Sequence, residues 1–292
     1  MGLENTDVLR LPSGTYARVQ PHGPLELVFG GGPAPADGSP PPDGLWVVHG
    51  TFPIAGILPF PRTMAVVRTG GRLVLINGLR LDGAGEGALK ALGPITAVVR
   101  LGAYHGVDDD YYAREHGAAV FGLAGMSTPR GAGGAAPRWL VRPQAERVPS
   151  AAPAAALPVP AEVGCPIPGA RVHVFRFVKP EAALLLPPLG GGGATLILCD
   201  ALINVPEDPP LLGWLPRVVL RLGGWTGLRQ EALWYGWQKS LGGLDDRGMR
   251  SEYDRLLAET QFEAVVFGHG AVIREGGHAA LSAAIDKHMP YA

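Results

Sequence analysis

The chain has 292 residues, of which 47% are hydrophobic, so it can bury a sizeable core and is not a disordered chain. Its 25 basic and 26 acidic residues give a net charge of −1, without the clustered positive charge that indicates a nucleic-acid partner. Two cysteines, Cys165 and Cys199, are too few for a disulfide framework and favour a reducing, cytoplasmic location. The 43 glycines and 29 prolines predict many short strands joined by turns.

The sequence predicts neither a signal peptide nor a membrane-spanning segment. The N-terminus, MGLENTDVLRLPSG, has early acidic residues and no apolar run. The longest uncharged stretch, from Ala182 to Cys199, contains Pro187-Pro188 and four consecutive glycines, a pattern that no membrane helix tolerates. We therefore expect a soluble protein without a membrane partner.

The N-terminal half predicts strands with one helix among them. The clearest signal is TMAVVRTGGRLVLING at 63–78, where two β-branched apolar runs flank Thr69-Gly70-Gly71 and predict a β-hairpin. The helix that follows lies between strands, which is a βαβ-like order. The other predicted elements of this half are strands at 16–19, 25–29, 45–50, 95–99 and 118–122 and a helix at 85–92.

The C-terminal half begins with residues 124–162, whose Gly, Ala, Pro and Arg content predicts a long irregular loop. A second hairpin is predicted around Gly190–Gly193. Four of the six tryptophans lie between 212 and 240, and we expect their side chains to cover one face of the hydrophobic core: Trp214, Trp225, Trp234 and Trp237. The remaining predicted elements are strands at 171–177 and 263–267 and helices at 249–260 and 277–287. This order predicts two sheets with helices outside them.

Polar side chains stand at three places where an apolar strand ends. His105 and its neighbour Asp108 follow one predicted strand, Asp200 ends a hairpin strand, and His269 lies between two glycines after the last strand. Because a strand end is a rigid mount, such groups can project together into one cleft. Imidazole and carboxylate are the ligand types of Zn, Fe and Mn sites. The three positions together predict a metal site.

Each position also has a plainer interpretation. His105 with Asp108–Asp110 can be a charge cluster at the N-terminus of a helix over 111–115, where acidic residues favour the helix dipole. Asp200 can cap a turn. His269 can simply hydrogen-bond a carbonyl group.

The order of these features resembles the metallo-β-lactamase superfamily. Members of that family start with a hairpin and a helix, carry an H-x-H-x-D-H loop after the next strand, and later a bridging Asp and a terminal ligand His. Here Asp200 in TLILCDALIN matches the bridging Asp, and His269 in VVFGHGAVI matches the terminal His. The resemblance covers about Leu45 to Ile285. It implies an α/β fold, a four-layer αββα sandwich, formed as one domain over 1–292 with an inserted loop at 124–162.

The chain departs from the family pattern in its ligand residues. The segment at the place of H-x-H-x-D-H reads Gly-Ala-Tyr-His-Gly-Val-Asp-Asp over 102–109, with a single histidine. An intermediate ligand would fall near 175–180, and the nearby His173 can point either way along its strand. The resemblance therefore implies a divergent branch with at most one divalent ion, Zn, Mn or Fe, or none. The ligand set it implies consists of His105, Asp108, Asp200 and His269.

Two hypotheses on function follow. In the first, the chain is a metal-dependent hydrolase of a small-molecule ester, lactone, amide or phosphoester, with Asp108 and His269 as the catalytic residues. In the second, it is a non-catalytic scaffold that binds a ligand or a protein partner in the cleft or on the Trp-rich segment 212–240. The sequence leaves the substrate and the oligomeric state open.

Overall fold

The computed structural model of the chain describes residues 16–32, 41–54, 58–126, 138–141, 164–230, 232–241 and 243–289. The strands are β1 (His22–Gly30), β2 (Gly44–Ile54), β3 (Leu58–Thr69), β4 (Arg72–Ile76), β5 (Ile95–Val99), β6 (Ala119–Gly122), β7 (Arg138–Trp139), β8 (Arg171–Val174), β9 (Ala182–Leu186), β10 (Thr195–Ile197), β11 (Ile203–Val205), β12 (Gly227–Arg229) and β13 (Ala264–Val266). The helices are α1 (Gly83–Leu92), α2 (Asp109–Glu115), α3 (Trp214–Leu222), α4 (Ala232–Ser240), α5 (Asp246–Glu259) and α6 (Gly277–His288). None of these helices has the length and apolar character needed to cross a membrane.

The first sheet contains β1 to β7 in chain order. Strands β1 to β4 pair antiparallel, and β4 to β7 pair parallel. The predicted hairpin at 63–78 is confirmed as β3 and β4, and its turn residues Gly70 and Gly71 have φ angles of 55° and 78°. Such positive angles cost glycine little, because it has no Cβ atom. The helix α1 then carries the chain to β5, as the βαβ-like order predicts.

The second sheet has the strand order β13-β10-β9-β8. The predicted second hairpin is confirmed as the antiparallel pair of β9 and β10, while β13 joins β10 in parallel. All five residues of β9 are buried, as expected for an inner strand that is covered on both faces. A small third sheet pairs β11 with β12.

Three apolar layers hold these elements together. The central layer joins the inner faces of the two large sheets, with Val47 and Val67 on one side and Leu184 and Val266 on the other. Because both faces of each sheet are apolar, each sheet also packs against helices on its outer side. This arrangement follows the rule that a sheet must cover each apolar face with another layer.

The outer layers complete the architecture. Leu89 of α1 and Tyr112 of α2 pack on the outer face of the first sheet. On the second sheet, Tyr253 of α5 and Leu281 of α6 pack in the same way. The layers therefore run helix, sheet, sheet, helix, and the predicted four-layer αββα fold class is confirmed.

The structure differs from the sequence prediction in three places. Residues 16–20 form no strand, and the first strand begins at His22. Within the predicted loop at 124–162, Arg138–Trp139 form β7 at the edge of the first sheet, and the rest of that loop lies largely outside the described residues. The predicted cover by tryptophans is wrong for Trp214, whose side chain is 76% exposed. A helix that lies on the surface can point its aromatic residue outward, which residue type alone does not reveal.

Candidate metal centre

Three side chains that lie far apart in the sequence meet in one buried cluster. The Nε2 atom of His105 lies 2.9 Å from Oδ1 of Asp200 and 3.1 Å from Nε2 of His269. The Nε2 atom of His269 lies 2.9 Å from the same Asp200 oxygen. His105, Asp200 and His269 are only 3%, 6% and 3% exposed. We call these three residues the triad.

The parallel pairing of β10 with β13 brings Asp200 and His269 together. Ile197 pairs with Val266. Asp200 lies three positions after Ile197, and His269 lies three positions after Val266. Because parallel strands end at the same edge of a sheet, the two side chains leave that edge side by side. His105 reaches them from the loop between β5 and α2, which belongs to the other sheet. The cluster thus lies at the rim where the two sheets meet.

Glycines beside the triad allow this close approach. A Cβ atom on Gly268 would lie 3.2 Å from Cε1 of His105 and 3.1 Å from the Cα atom of Cys199. A Cβ atom on Gly102 would lie 3.2 Å from Oδ2 of Asp200. Any other residue at these two positions would therefore crowd the triad. The glycine that precedes His269 has a packing role as well as a turn role.

The charges of the triad differ from those of free side chains. Burial lowers the pKa of His105 to about 4, although Asp200 opposes that shift. Burial also raises the pKa of Asp200, but the two histidines outweigh it and hold that pKa below its usual range. At neutral pH the cluster therefore carries an ionised carboxylate beside a neutral His105. Among the described residues, Asp200 has ion-pair contacts only with the two histidines.

The ring of His269 is held by a hydrogen bond on its far side. Nδ1 of His269 lies 2.6 Å from the carbonyl oxygen of Pro61, so Nδ1–H donates to that carbonyl. Its Nε2 atom, 2.9 Å from Asp200, then either donates a proton to the carboxylate or presents a lone pair to a cation that both atoms hold. Ligand histidines in proteins commonly donate their other N–H to a backbone carbonyl in this way.

The spacing of the triad atoms also fits a single ion. Ligand atoms about 2.1 Å from one ion lie about 3.0 Å apart at right angles and about 3.4 Å apart in a tetrahedron. The three observed separations are 2.9, 2.9 and 3.1 Å. Oδ2 of Asp200 is buried and has no hydrogen-bond partner among the described residues. The donor set of two imidazoles and one carboxylate therefore fits a divalent metal.

A fourth donor atom, not expected from the sequence, lies beside the triad. The Sγ atom of Cys199 and ligand atoms of His105 and Asp200 all lie within 4.8 Å of one another. Burial raises the pKa of the Cys199 thiol well above its usual value, and the neighbouring Asp200 raises it further. The thiol is therefore protonated unless a cation displaces its proton. Its position directly before Asp200 gave no signal in the sequence, because adjacent residues of a regular strand face opposite sides.

The structure does not bring Asp108, the fourth predicted ligand, into the triad. Its Oδ2 atom lies 3.5 Å from Nη1 of Arg62, and its carboxylate has no described hydrogen bond to a triad residue. The next residue, Asp109, pairs with Arg100 at 3.4 Å. Burial raises the pKa of both carboxyl groups, while the arginines oppose the shift. Asp108 is thus held by an arginine that lies 46 positions earlier in the chain.

His173, the other candidate near the predicted intermediate ligand, also lies outside the triad. Its Nδ1 atom lies 2.9 Å from Oε2 of Glu259 in α5, and its ring packs edge-on against Phe175. These contacts belong to the outer face of the second sheet. No described contact of His173 reaches the triad.

Three consecutive residues of β3 brace the triad from the first sheet. Pro61 accepts from His269, and Arg62 Nη2 donates to the carbonyl oxygen of His105 at 3.0 Å. Thr63 N–H donates to the carbonyl of Gly268 at 2.8 Å. The segment Pro61–Thr63 therefore fixes both histidines against one strand. A prediction that treats β3 only as an apolar core strand cannot reveal this.

A small pocket opens beside the triad. Its walls include His49, Pro61 and Arg62 from the first sheet and Gly270 from the turn after β13. Three prolines close the opposite side: Pro206, Pro209 and Pro210. Because Pro61 contacts His269 and Arg62 contacts His105, the pocket shares two wall residues with the brace.

No family model matches the chain, and no curated protein matches it. Solved structures to which the chain is similar include metallo-β-lactamases. One from Erythrobacter litoralis has 13% identity and a TM-score of 0.46, over 83% of this chain and 87% of that one. FIM-1 from Pseudomonas aeruginosa, in a mono-zinc form, has 12% identity and a TM-score of 0.46, over 91% and 96%. TMB-1 has 8% identity and a TM-score of 0.47, over 91% and 98%.

These identities are too low to transfer a substrate or a ligand set to this chain. The layer order and the two-sheet core described above are sufficient to define the architecture. The chain has a four-layer αββα fold, the fold class that the resemblance of its sequence implies.

Proposed function

We propose that the chain is a metal-dependent hydrolase with a mononuclear site formed by His105, Asp200 and His269. One observation carries the proposal. Two imidazole nitrogens and one carboxylate oxygen, all of buried residues, converge within 3.1 Å of one another. A divalent ion held there would lower the pKa of a water and polarise the scissile bond.

The residues of the chain have separate tasks in this proposal. His105 offers a neutral imidazole nitrogen, His269 offers its Nε2 atom, and Asp200 offers a carboxylate oxygen that would balance part of the ion's charge. Pro61 fixes the ring of His269, and Arg62 fixes the loop of His105. With three protein ligands, a coordination position stays open for substrate, which is typical of catalytic rather than structural zinc sites.

The pocket supports a small substrate. Its proline walls are apolar, and the charge of Arg62 beside them is paired with Asp108. Such a wall favours a small ester with an apolar group. Asp108 has no part in this scheme, because Arg62 holds it away from the triad.

A second candidate function is a non-catalytic scaffold with a structural ion. The burial of all three triad residues favours it, as does the thiol of Cys199, which could supply a fourth ligand and close the site. In that case the ion stabilises the rim between the sheets and no substrate reaches it. The two candidates therefore differ in turnover and in the number of protein ligands.

Turnover by protein that has been stripped with chelator and reloaded with Zn, Mn or Fe separates the two candidates. Substrates for the assay are nitrophenyl esters and phosphoesters. The proposal predicts hydrolysis that requires the ion and is lost in Asp200→Asn and His269→Gln. The control variant His173→Gln changes a buried histidine outside the triad and should keep the activity. Stoichiometric ion binding without turnover on any of these substrates would favour the scaffold.

A reducing compartment is the location that we propose. Cys165 and Cys199 are both free thiols. The thiol of Cys199 lies beside His105 and Asp200, so oxidation of that thiol would disturb the triad. The cytoplasm meets this condition.

A further inference from the structure

Two residues hold all four backbone carbonyl groups of the turn over 268–271, which carries His269. The backbone N–H of Thr63 donates to the first carbonyl at 2.8 Å, and its hydroxyl donates to the third at 3.3 Å. The backbone N–H of Asn204 donates to the second carbonyl and its side-chain Nδ2 to the fourth, each at 2.9 Å. Thr63 belongs to β3 and Asn204 to β11, so two different sheets hold the turn alternately.

The same network connects this turn to the segment that carries Asp200. Asn204 lies four positions after Asp200, and its carbonyl oxygen accepts from the N–H of Ala271 at 2.8 Å. Before Asp200, the carbonyl of Leu198 accepts from the N–H of Gly268 at 3.0 Å. Hydrogen bonds on both sides of the two ligand positions therefore fix these segments against each other.

The hydroxyl group of Thr63 is buried and has contacts on two sides. Thr63 is 2% exposed, and its hydroxyl donates its single proton to the carbonyl of Gly270. Its oxygen can then accept from Nδ1–H of His49, which lies 3.1 Å away. A hydroxyl held in this way keeps one orientation, so it can fix the backbone beside His269.

The position of a ligand atom depends on how both ends of its residue are held. Pro61 holds the far nitrogen of the His269 ring, and Thr63 and Asn204 hold its backbone. Loss of a group that orients a metal ligand commonly weakens ion binding about ten- to hundredfold. We propose that the side chains of Thr63 and Asn204 are positioning groups that keep Nε2 of His269 in reach of the ion. This inference rests on the proposed metal site.

Zinc affinity of the full chain tests the proposal. Thr63→Val keeps the shape of the side chain and the backbone N–H, so only the hydroxyl is lost. Its affinity for Zn²⁺, measured by competition with a chromophoric chelator, should fall at least about tenfold. Thr63→Ser restores the hydroxyl and should bind Zn²⁺ as the wild type does. Asn204 is only partly buried, so Asn204→Ala is a second variant in which the same fall is expected.

A readout of ligand geometry separates positioning from a general loss of stability. The d–d absorption of cobalt-loaded protein reports the arrangement of the ligand atoms, and it should change in Thr63→Val but not in Thr63→Ser. The matched control is Thr260→Val, which removes another buried threonine hydroxyl that donates to a backbone carbonyl, at the end of α5. This control should change neither the zinc affinity nor the cobalt spectrum.

The possible outcomes distinguish this inference from the proposed function. If the wild type binds Zn²⁺ and both Thr63→Val and Asn204→Ala keep its affinity and its cobalt spectrum, the positioning role is wrong and the metal site stands. If Thr260→Val loses as much affinity as Thr63→Val, the effect is one of stability and the positioning role is equally wrong. Absence of zinc binding in the wild type would overturn both proposals.

Discussion

Two buried polar clusters lie next to each other around the loop after β5, and they are neutralised in different ways. In the first, Arg62 faces Asp108 and Arg100 faces Asp109, so each carboxyl group has a fixed cation of the chain. In the second, the ionised Asp200 faces two histidines and no arginine or lysine among the described residues. We call them the arginine cluster and the triad.

The difference shows which buried acids point to a metal ion. Burial of a charge is costly unless the charge is paired. The arginine cluster meets this requirement within the chain and needs no ion. In the triad, the pKa of Asp200 is lowered although it has no arginine or lysine partner among the described residues. The segment after β5 therefore contributes Asp108 and Asp109 to a structural cluster and His105 to a cluster suited to binding an ion.

The largest expected effect comes from Asp200→Ala. Saturation of the wild type with Zn²⁺, at a thousand times its dissociation constant, should raise the free energy of unfolding by about 4 kcal/mol. The variant should show almost none of this increase, because it lacks the only charged ligand of the triad. Denaturant unfolding with Zn²⁺ and with chelator measures both values. An increase that persists in the variant would place the ion elsewhere.

The arginine cluster should respond in the opposite manner. Asp109→Ala removes the carboxylate that faces the buried Arg100, and should cost about 3 kcal/mol of unfolding free energy, equally with and without Zn²⁺. The neighbouring variant Asp110→Ala is the control. Its ion pair with Arg114 is partly exposed, so the loss of that pair should cost less than about 0.5 kcal/mol of unfolding free energy. A loss at Asp109 that depends on the ion would contradict the division into two clusters.

Sequence reasoning could reach the triad but not the arginine cluster. His105, Asp200 and His269 share a visible signal, a polar residue where a strand ends, and the pairing of β10 with β13 turns that signal into proximity. Arg62 has no such signal, because it lies inside the apolar strand β3. Without Arg62, the sequence offers no reason to separate Asp108 from the ligands.

The fold was predictable for a related reason. Hairpin turns and apolar runs are local patterns, so β3, β4, β9 and β10 follow from short segments.

The exposure of Trp214 and the position of the Cys199 thiol beside the triad depend on packing between distant segments. Adjacent residues of a regular strand face opposite sides, which argues against Cys199 and Asp200 sharing a site. The strand β10 ends at Ile197, however, so that rule does not extend to them.

A smaller effect is expected from Cys199→Ala, which sharpens the ligand set of the triad. The proposed hydrolase site does not use the thiol, so the variant should bind one ion with unchanged affinity and lose about 1 kcal/mol from packing. Cobalt-loaded wild type should show no thiolate-to-metal charge-transfer band. A band that disappears in Cys199→Ala, but remains in Cys165→Ser, would indicate a closed structural site.

The smallest effect concerns pH and a histidine outside both clusters. Burial lowers the pKa of His173, Arg255 lowers it further, and Glu259 only partly opposes this. A lowered pKa in the folded state means that protonation favours the unfolded chain. His173 should therefore reduce stability as pH falls below about 6.5, its unfolded value. The melting temperature of His173→Gln should fall less than that of the wild type between neutral and mildly acidic pH, and an equal fall would contradict the assignment.

Calorimetric titration of the chelator-stripped protein with Zn²⁺ tests the central claim most directly. The triad predicts one ion per chain for the wild type and for His173→Gln. It predicts no saturable binding for His105→Ala, Asp200→Ala or His269→Ala. Absence of binding in the wild type, or full binding after removal of any triad residue, would contradict the account.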